Sequence, residues 1–363
     1  MKNLVIAKFG GSAIGIDGKL IPVIIKRINE LKKDAKVIAV FSAPLTLSEG
    51  KQRSLTDIAL ALGQKAQTGH SVNVEELKKP YQKILEFVDK KYHEECKKIT
   101  DSFLEKSFQA IKQATEKKEF VDVTRSRTLA YSGEILMSYI MDYVLKSAGM
   151  KSSVIGFEIW PIITDNNIES ANFLASQSAQ SIEATEVLLE KNDVLSIGGF
   201  IGKTEDGLET TYERGGSDRT AADLGILFSK KYNTIIDFEK DSAVRSADPR
   251  IVKDELEDIN QLSYNEARIA GMFGMKILDP IAIKEIVDNG IDMPIIITDM
   301  NNPKRTTVIE RKPVNKNGHP LRIVTGKKNC AILRIERTAA QRLFDSLEKD
   351  KRYSEFVVLS PFT

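Results

Sequence analysis

The segment Tyr212-Glu213-Arg214-Gly215-Gly216-Ser217-Asp218-Arg219-Thr220-Ala221-Ala222 sets a cation, two residues without side chains, a hydroxyl and a carboxylate next to one another. An apolar helical run follows at once, through Ala221, Leu224, Gly225, Leu227 and Phe228. Two glycines let a backbone approach a ligand closely. Ser-Asp is a good helix N-cap, and a helix start presents N–H groups to anions. An Arg placed there can grip a carboxylate through two parallel hydrogen bonds. The chemistry suited to this segment is recognition of a small acidic substrate. By itself, a capped helix after a tight turn is the simpler account.

A second segment changes the balance. Leu4-Val5-Ile6-Ala7-Lys8-Phe9-Gly10-Gly11-Ser12 reads as a buried strand running into Lys-x-Gly-Gly-Ser. A lysine at a strand end, followed by glycines whose N–H groups line a turn, suits a phosphate. An ordinary βα turn with a solvated lysine fits these residues equally well. The nearby Gly18-Lys19 is not a Walker loop, because Ala13 stands where the first Gly belongs and Leu20 where a magnesium-binding hydroxyl belongs.

Together the two segments resemble the aspartate kinases of the amino-acid kinase superfamily. Lys8-Phe9-Gly10-Gly11-Ser12 is similar to their Lys-Phe-Gly-Gly-Thr/Ser opening. Arg214-Gly215-Gly216-Ser217-Asp218 is similar to their Gly-Arg-Gly-Gly-Ser-Asp signature, with Glu213 in place of the first Gly. Further blocks follow in the same order: Phe41-Ser42-Ala43, Ser132-Gly133-Glu134, Ile162-Ile163-Thr164-Asp165, Gly199-Phe200-Ile201-Gly202, Ala247-Asp248-Pro249-Arg250 and Gly274-Met275-Lys276-Ile277-Leu278-Asp279-Pro280.

The resemblance implies transfer of the γ-phosphoryl group of ATP to the β-carboxylate of L-aspartate, the first step towards lysine, threonine and methionine. Both reactants are anions, and two unit charges about 4 Å apart repel by roughly 4 kcal/mol at an effective dielectric of 20. Cations and N–H dipoles must offset this, since phosphoryl transfer depends mainly on positioning and charge neutralisation. The resemblance assigns Lys8 to the transferring phosphoryl, with Gly10, Gly11 and Ser12 in the phosphate turn. Lys276 reaches the phosphates from the nucleotide side, Ser42 and Ala43 close the cradle, and Arg250 belongs to the nucleotide site. Asp218 organises the lysines, because a carboxylate nucleophile has no proton to remove. Mg2+ arrives with ATP, held by phosphates and water, so no dedicated protein ligands are expected. For aspartate, Arg214 holds one carboxylate, Glu134 pairs with the α-ammonium, Thr46 and Ser217 add hydroxyls, and Phe200 walls the pocket through its backbone.

Several departures from the family pattern matter. The family's Thr-Asp-Val-Asp-Gly-Val-Tyr is Glu239-Lys240-Asp241-Ser242-Ala243-Val244-Arg245 here, with Arg245 as a candidate to stack on the base in the tyrosine's place. Asp279 replaces a histidine, and Pro44-Leu45-Thr46 is shorter than the usual substrate loop. The alternatives are a related kinase acting on glutamate, acetylglutamate or carbamate, and a catalytically inactive amino-acid or nucleotide sensor.

The elements that must position these residues alternate. Leu4–Ala7 and Lys36–Ser42 read as strands around a helix over Ile21–Leu31, an order that implies a parallel sheet covered by helices. From about Ser54 to Gly149 the spacing turns helical, with Leu77, Tyr81, Leu85, Val88 and Tyr92 recurring every three or four residues. Residues 72–120 are read as a bundle without chemistry, whose lysines (Lys78, Lys79, Lys90, Lys91, Lys117, Lys118) form a solvated face. Strands then return at Ser152–Gly156, Asp193–Ile197, Asn233–Phe238 and Pro294–Thr298, with helices at Ser217–Phe228, Tyr264–Phe273 and Ile281–Asp288. The expected fold is an α/β three-layer αβα sandwich with a mainly parallel central sheet. The catalytic domain is set at 1–309, including the helical insertion of about 54–149. Residues 310–320 are polar and rich in chain breakers, and 321–363 resemble about half of an ACT domain. With half a unit, weak or absent feedback inhibition by lysine or threonine is expected, and the strand edges such a unit exposes favour a homodimer.

Bulk properties agree with an enzyme of this kind. At 363 residues two domains are the default, and 42% hydrophobic with 29% charged residues is ordinary for a globular protein. A net charge of +2, with scattered basic residues, argues against a nucleic-acid partner. Cys96 and Cys330 supply no disulfide framework, and His70, His93 and His319 show no metal-ligand spacing. The absence of a signal-like or membrane-length apolar run leads to the expectation of a cytoplasmic protein without a membrane partner.

Overall fold

The computed structural model describes residues 2–213, 215–248, 251–275, 277–312 and 323–326. Arg214, Arg250, Lys276 and nearly all of the 321–363 region therefore lie outside the described residues, as does any test of the ACT-like reading.

The apolar strand β1 (Asn3–Phe9) runs into a one-turn helix α1 (Gly11–Ile14) and the amphipathic α2 (Ile21–Leu31), which carries a proline in its first turn. After β2 (Lys36–Phe41) comes an antiparallel hairpin of β3 (Leu45–Ser48) and β4 (Lys51–Ser54). The Ser54 hydroxyl accepts the Asp57 N–H and so starts α3 (Leu55–Gln67). The helices α4 (Lys79–Ile84), α5 (Lys90–Lys117), α6 (Asp122–Ser132) and α7 (Glu134–Ser147) complete the helical stretch. Next come β5 (Ser152–Val154), α8 (Ala175–Ser181), α9 (Glu183–Lys191), β6 (Val194–Gly198) and a small hairpin of β7 (Ile201–Lys203) with β8 (Glu209–Thr211). The remainder is α10 (Gly216–Phe228), β9 (Asn233–Lys240), β10 (Gln261–Ser263), α11 (Tyr264–Met272), α12 (Pro280–Asp288), β11 (Ile295–Asp299) and β12 (Thr306–Glu310).

The main sheet has the order β10-β12-β11-β9-β1-β2-β6-β5. From β11 to β5 every pairing is parallel, while β12 runs antiparallel to β11 and β10 follows β12. Beyond β1 the chain first builds towards β5, then crosses back to place β9 on its other side. That reversal is the topological switch point at which ligands of open α/β sheets bind, outside the carboxyl ends of the strands.

Side-chain alternation along β1 sends Leu4 and Ile6 to one face, with Ala7 and Phe9 on the other. The first pair joins a core closed by α10, α11 and α12, including Leu224, Ala267 and Ile283. The second joins a core closed by α2, α3, α5 and α7, including Ile24, Ile58, Leu104 and Ile140. The three-layer arrangement expected from the alternating elements is thus present. The same alternation carries Lys8 onto the α10 face. Two residues beyond Phe238, it carries Lys240 there as well.

Candidate active site

The two glycine-containing segments meet at the carboxyl edge of the sheet. Lys8 Nζ lies 2.8 Å from Asp218 Oδ1, with both side chains largely buried. Asp218 stands in the first turn of α10, and its Oδ2 accepts the Asp279 N–H at 3.0 Å. Asp279 in turn caps α12, its Oδ1 accepting from Ile281 N at 2.9 Å. Two helix N-termini therefore converge beside the Lys8 ammonium, and each adds a partial positive charge. Burial alone would raise the Asp218 carboxyl, yet Lys8 and Lys240 hold it below the ordinary carboxylate range. Asp279 is pushed up to about 6, by burial first and also by the neighbouring Asp218 charge.

Glycine is required where these helices touch. Gly215 has φ +92°, and a Cβ on it would sit 2.5 Å from Asp279 Oδ2. Gly10 leaves open the space beside Lys8, where a Cβ would lie 3.1 Å from Nζ. A Cβ on Gly11 would sit 3.1 Å from the Ala43 carbonyl oxygen, so the turn after β1 packs closely against the chain just beyond β2. Ser12 is exposed on α1.

Around β2 the site continues towards Glu134. Ser42 Oγ donates to Ser217 Oγ at 3.0 Å, joining the end of β2 to the start of α10. The Ala43 N–H bonds the Glu134 carboxylate, which also accepts from its own N–H and, at 3.4 Å, from Thr56 Oγ1. Glu134 is 4% exposed, and its Oε2 is buried without a partner. Burial pushes this carboxyl up to about 7 despite those donors. It opens α7 immediately after Gly133, and the turn is held by Tyr81 of α4, whose hydroxyl donates to the Ser132 and Gly133 carbonyls. Through Tyr81, residues 72–120, whose sequence reads as a bundle without chemistry, thereby brace the site.

Phe200 has a φ of +67°, unusual for a bulky residue. The strain is held by its N–H donating to Thr220 Oγ1 at 2.9 Å and its carbonyl accepting from Tyr212 N at 2.9 Å. Its backbone thus flanks the start of α10. Thr46 is differently engaged: its hydroxyl donates to Asp17 Oδ1 at 2.6 Å, and Asp17 also pairs with Lys83. The hydroxyl beside Glu134 comes instead from Thr56, which sequence reasoning missed. The Ser54 helix cap just before Thr56 was its only local signal.

The altered loop contains the other residue that was missed. Glu239 turns to the α2 face and accepts two-pronged hydrogen bonds from Arg27, at 2.7 to 3.1 Å. Lys240 turns to the opposite face, donates to the Ile277 carbonyl, and lies within electrostatic reach of both Lys8 and Asp218. Arg245, the candidate for stacking on a base, pairs with Asp258 at 3.1 Å.

Comparisons with known proteins agree with this geometry. The sequence model of the amino acid kinase family matches residues 3–299. The chain belongs to the amino acid kinase family. Among proteins similar to this family member is an aspartokinase of Rickettsia felis, 29% identical over 208 residues that make up 56% of this chain and 49% of the relative. The chloroplastic aspartokinase 1 of Arabidopsis thaliana is 25% identical over 344 residues, 92% of this chain and 56% of the relative. This chain thus spans about half the length of these relatives. The structure of E. coli aspartokinase III, solved with aspartate and ADP, superposes with a TM-score of 0.69 at 20% identity, covering 86% of this chain and 66% of that one. At that identity the superposition establishes the shared fold. Among the described residues, no helix is long and apolar enough to cross a membrane.

Proposed function

We propose that this chain is an aspartate kinase, moving the γ-phosphoryl group of ATP to the β-carboxylate of L-aspartate. The observation that carries the reading is the Lys8–Asp218 contact at the sheet's switch point, linked through Ser217, Ser42 and Ala43 to the buried, half-partnered carboxylate of Glu134. One end of this arrangement suits a polyphosphate and the other an ammonium. The similarity to aspartokinases, including one crystallised with aspartate and ADP, supports the same pairing of ligands.

In this reading Lys8 stabilises the transferring phosphoryl, and the N–H groups of Gly10, Gly11 and Ser12 with Ser42 and Ala43 cradle the phosphates. Asp218 holds Lys8 in place and stays ionised. Lys276 and Arg250 complete the nucleotide side. Glu134 receives the α-ammonium of aspartate on its unpartnered Oε2, while Arg214 and Ser217 hold a carboxylate beside the Phe200 backbone. Thr46 acts by anchoring the β3–β4 hairpin through Asp17. Among the described residues no group of three or more His, Cys, Asp or Glu is placed so that it could hold a metal ion. Mg2+ enters as part of the nucleotide substrate, its charge supplementing the lysines while phosphates and water remain its ligands.

An aspartyl-hydroxamate assay of the wild type beside Lys8→Ala tests the proposal. Aspartate-dependent product is expected from the wild type, with at least a ~100-fold loss in the variant, the scale seen when one preorganised donor to a transition-state charge is removed. ADP release compared across aspartate, glutamate, acetylglutamate and carbamate must favour aspartate. Preference for another acceptor would reject the assignment.

A further inference from the structure

We propose that Lys240 is a phosphate-binding residue that clamps the terminal phosphates of the nucleotide together with Lys8. The inference rests on the nucleotide half of the functional reading and is independent of which acceptor is phosphorylated.

Three observations carry it. First, β1 and β9 pair in register, Phe9 with Glu239, so Lys240 comes level with Gly10 at the start of the phosphate turn. Second, strand alternation places Lys240 on the same face as Lys8, while Glu239 is turned away and fastened to Arg27 from behind. Third, the Lys8 and Lys240 ammoniums converge on one carboxylate, Asp218, beside two helix N-termini. A polyphosphate is an anion that such a pair of ammoniums can grip.

Among the described residues, the charged groups acting on Lys240 are Lys8 on β1, Asp218 on α10 and Asp241 next in sequence, with Asp279 at the head of α12 bonded to Asp218. Asp299 on β11 is its register neighbour and is tied to Arg305. Burial, and secondarily Lys8, lower the Lys240 ammonium to about 8 against the opposing pull of Asp218 and Asp241. A bound phosphate would restore its proton, so nucleotide affinity is expected to fall as pH rises above 8.

Calorimetric titration of the purified chain with ADP and with adenosine, from pH 7 to pH 9.5, tests this in wild type, Lys240→Met and Lys240→Arg. Wild type should lose up to about tenfold in ADP affinity per pH unit above 8. At pH 7, Lys240→Met should bind ADP about 10- to 100-fold more weakly, the worth of one hydrogen bond to a charged group, with adenosine binding unchanged and the slope above pH 8 gone. Lys240→Arg should keep most of the affinity without the slope, because guanidinium stays charged. Equal ADP affinity in wild type and Lys240→Met overturns the inference, as does a parallel loss of adenosine binding, which marks a structural role. If the wild type shows the Lys240-dependent ADP binding but forms no aspartyl hydroxamate, the inference stands and the aspartate assignment falls. If hydroxamate forms and Lys240→Met binds ADP as the wild type does, the aspartate assignment stands and the inference falls.

Discussion

Glu134 offers the sharpest quantitative test, because its carboxylate is buried, short of one partner and close to neutrality. Moving this carboxyl from its ordinary 4.5 to about 7 places the buried carboxylate roughly 3 kcal/mol above its solvated state. Its folded value is the higher one, so the unfolded chain ionises first as pH rises. Stability is consequently lost between about pH 4.5 and 7 and stays lost above that window. An arriving ammonium recovers part of this cost, and below pH 7 it must compete with a proton.

The apparent KM for aspartate, measured at saturating ATP, should therefore rise roughly 30-fold from pH 8 to pH 5.5, following the ionised fraction of one group with a value near 7. Glu134→Gln should flatten that profile and raise the KM for aspartate about 10- to 100-fold, the worth of a hydrogen bond to a charged group, with KM for ATP unchanged. The same variant should melt at a higher temperature than wild type above pH 7, since it removes a charge that the fold holds out of water. A pH-independent KM for aspartate, or a Glu134→Gln variant that keeps the wild-type KM, would refute the placement of the ammonium at Glu134.

Two further perturbations address the scaffold. Gly215→Ala forces a Cβ against Asp279 from a left-handed backbone, at a cost of about 1–3 kcal/mol. It should lower the melting temperature and, by displacing the Asp279 N–H from Asp218, weaken ADP binding; an unchanged melt and titration would contradict the close packing of the two helix starts. Arg27→Met leaves Glu239 and Asp237 buried without their shared cation and should cost about 3–5 kcal/mol in urea unfolding at pH 8. With the cation gone, both carboxyls rise further, so the deficit should shrink as pH falls towards 5. Equal urea midpoints at pH 8 would refute it.

Much of this molecule is legible in local sequence. The strands β1, β2 and β9, the helices α2, α10 and α12, and the helical stretch from α3 to α7 follow from apolar spacing, the Ser54 and Asp279 caps, and prolines in first turns. Ser217 and Asp218, however, lie inside the first turn of α10 rather than capping it, because Gly215 takes the N-cap position. The short hairpins β3–β4 and β7–β8, and the edge strands β10 and β12, are less so. They are three to five residues long, and their pairing depends on what packs beside them. Lys8, Gly10, Gly11, Ser217 and Asp218 stood out because glycine and charge together are costly in a strand-to-helix turn unless something uses them. Thr56 and Lys240 did not, since a threonine in a helix and a lysine at a strand end have ordinary explanations.

What the amino-acid order determined alone was the set of elements and the type of chemistry: strands of period two, helices of period near four, and cations with glycines at their junctions. The tertiary structure decided which of those groups meet. Parallel register brings Lys240 level with Gly10, a crossover returns α10 so that Asp218 reaches Lys8, and burial tunes Glu134 and Lys240 towards neutral pH. Periodicity is encoded within a few neighbouring residues, whereas charge strength and proximity depend on the low-dielectric surroundings that distant segments create on folding.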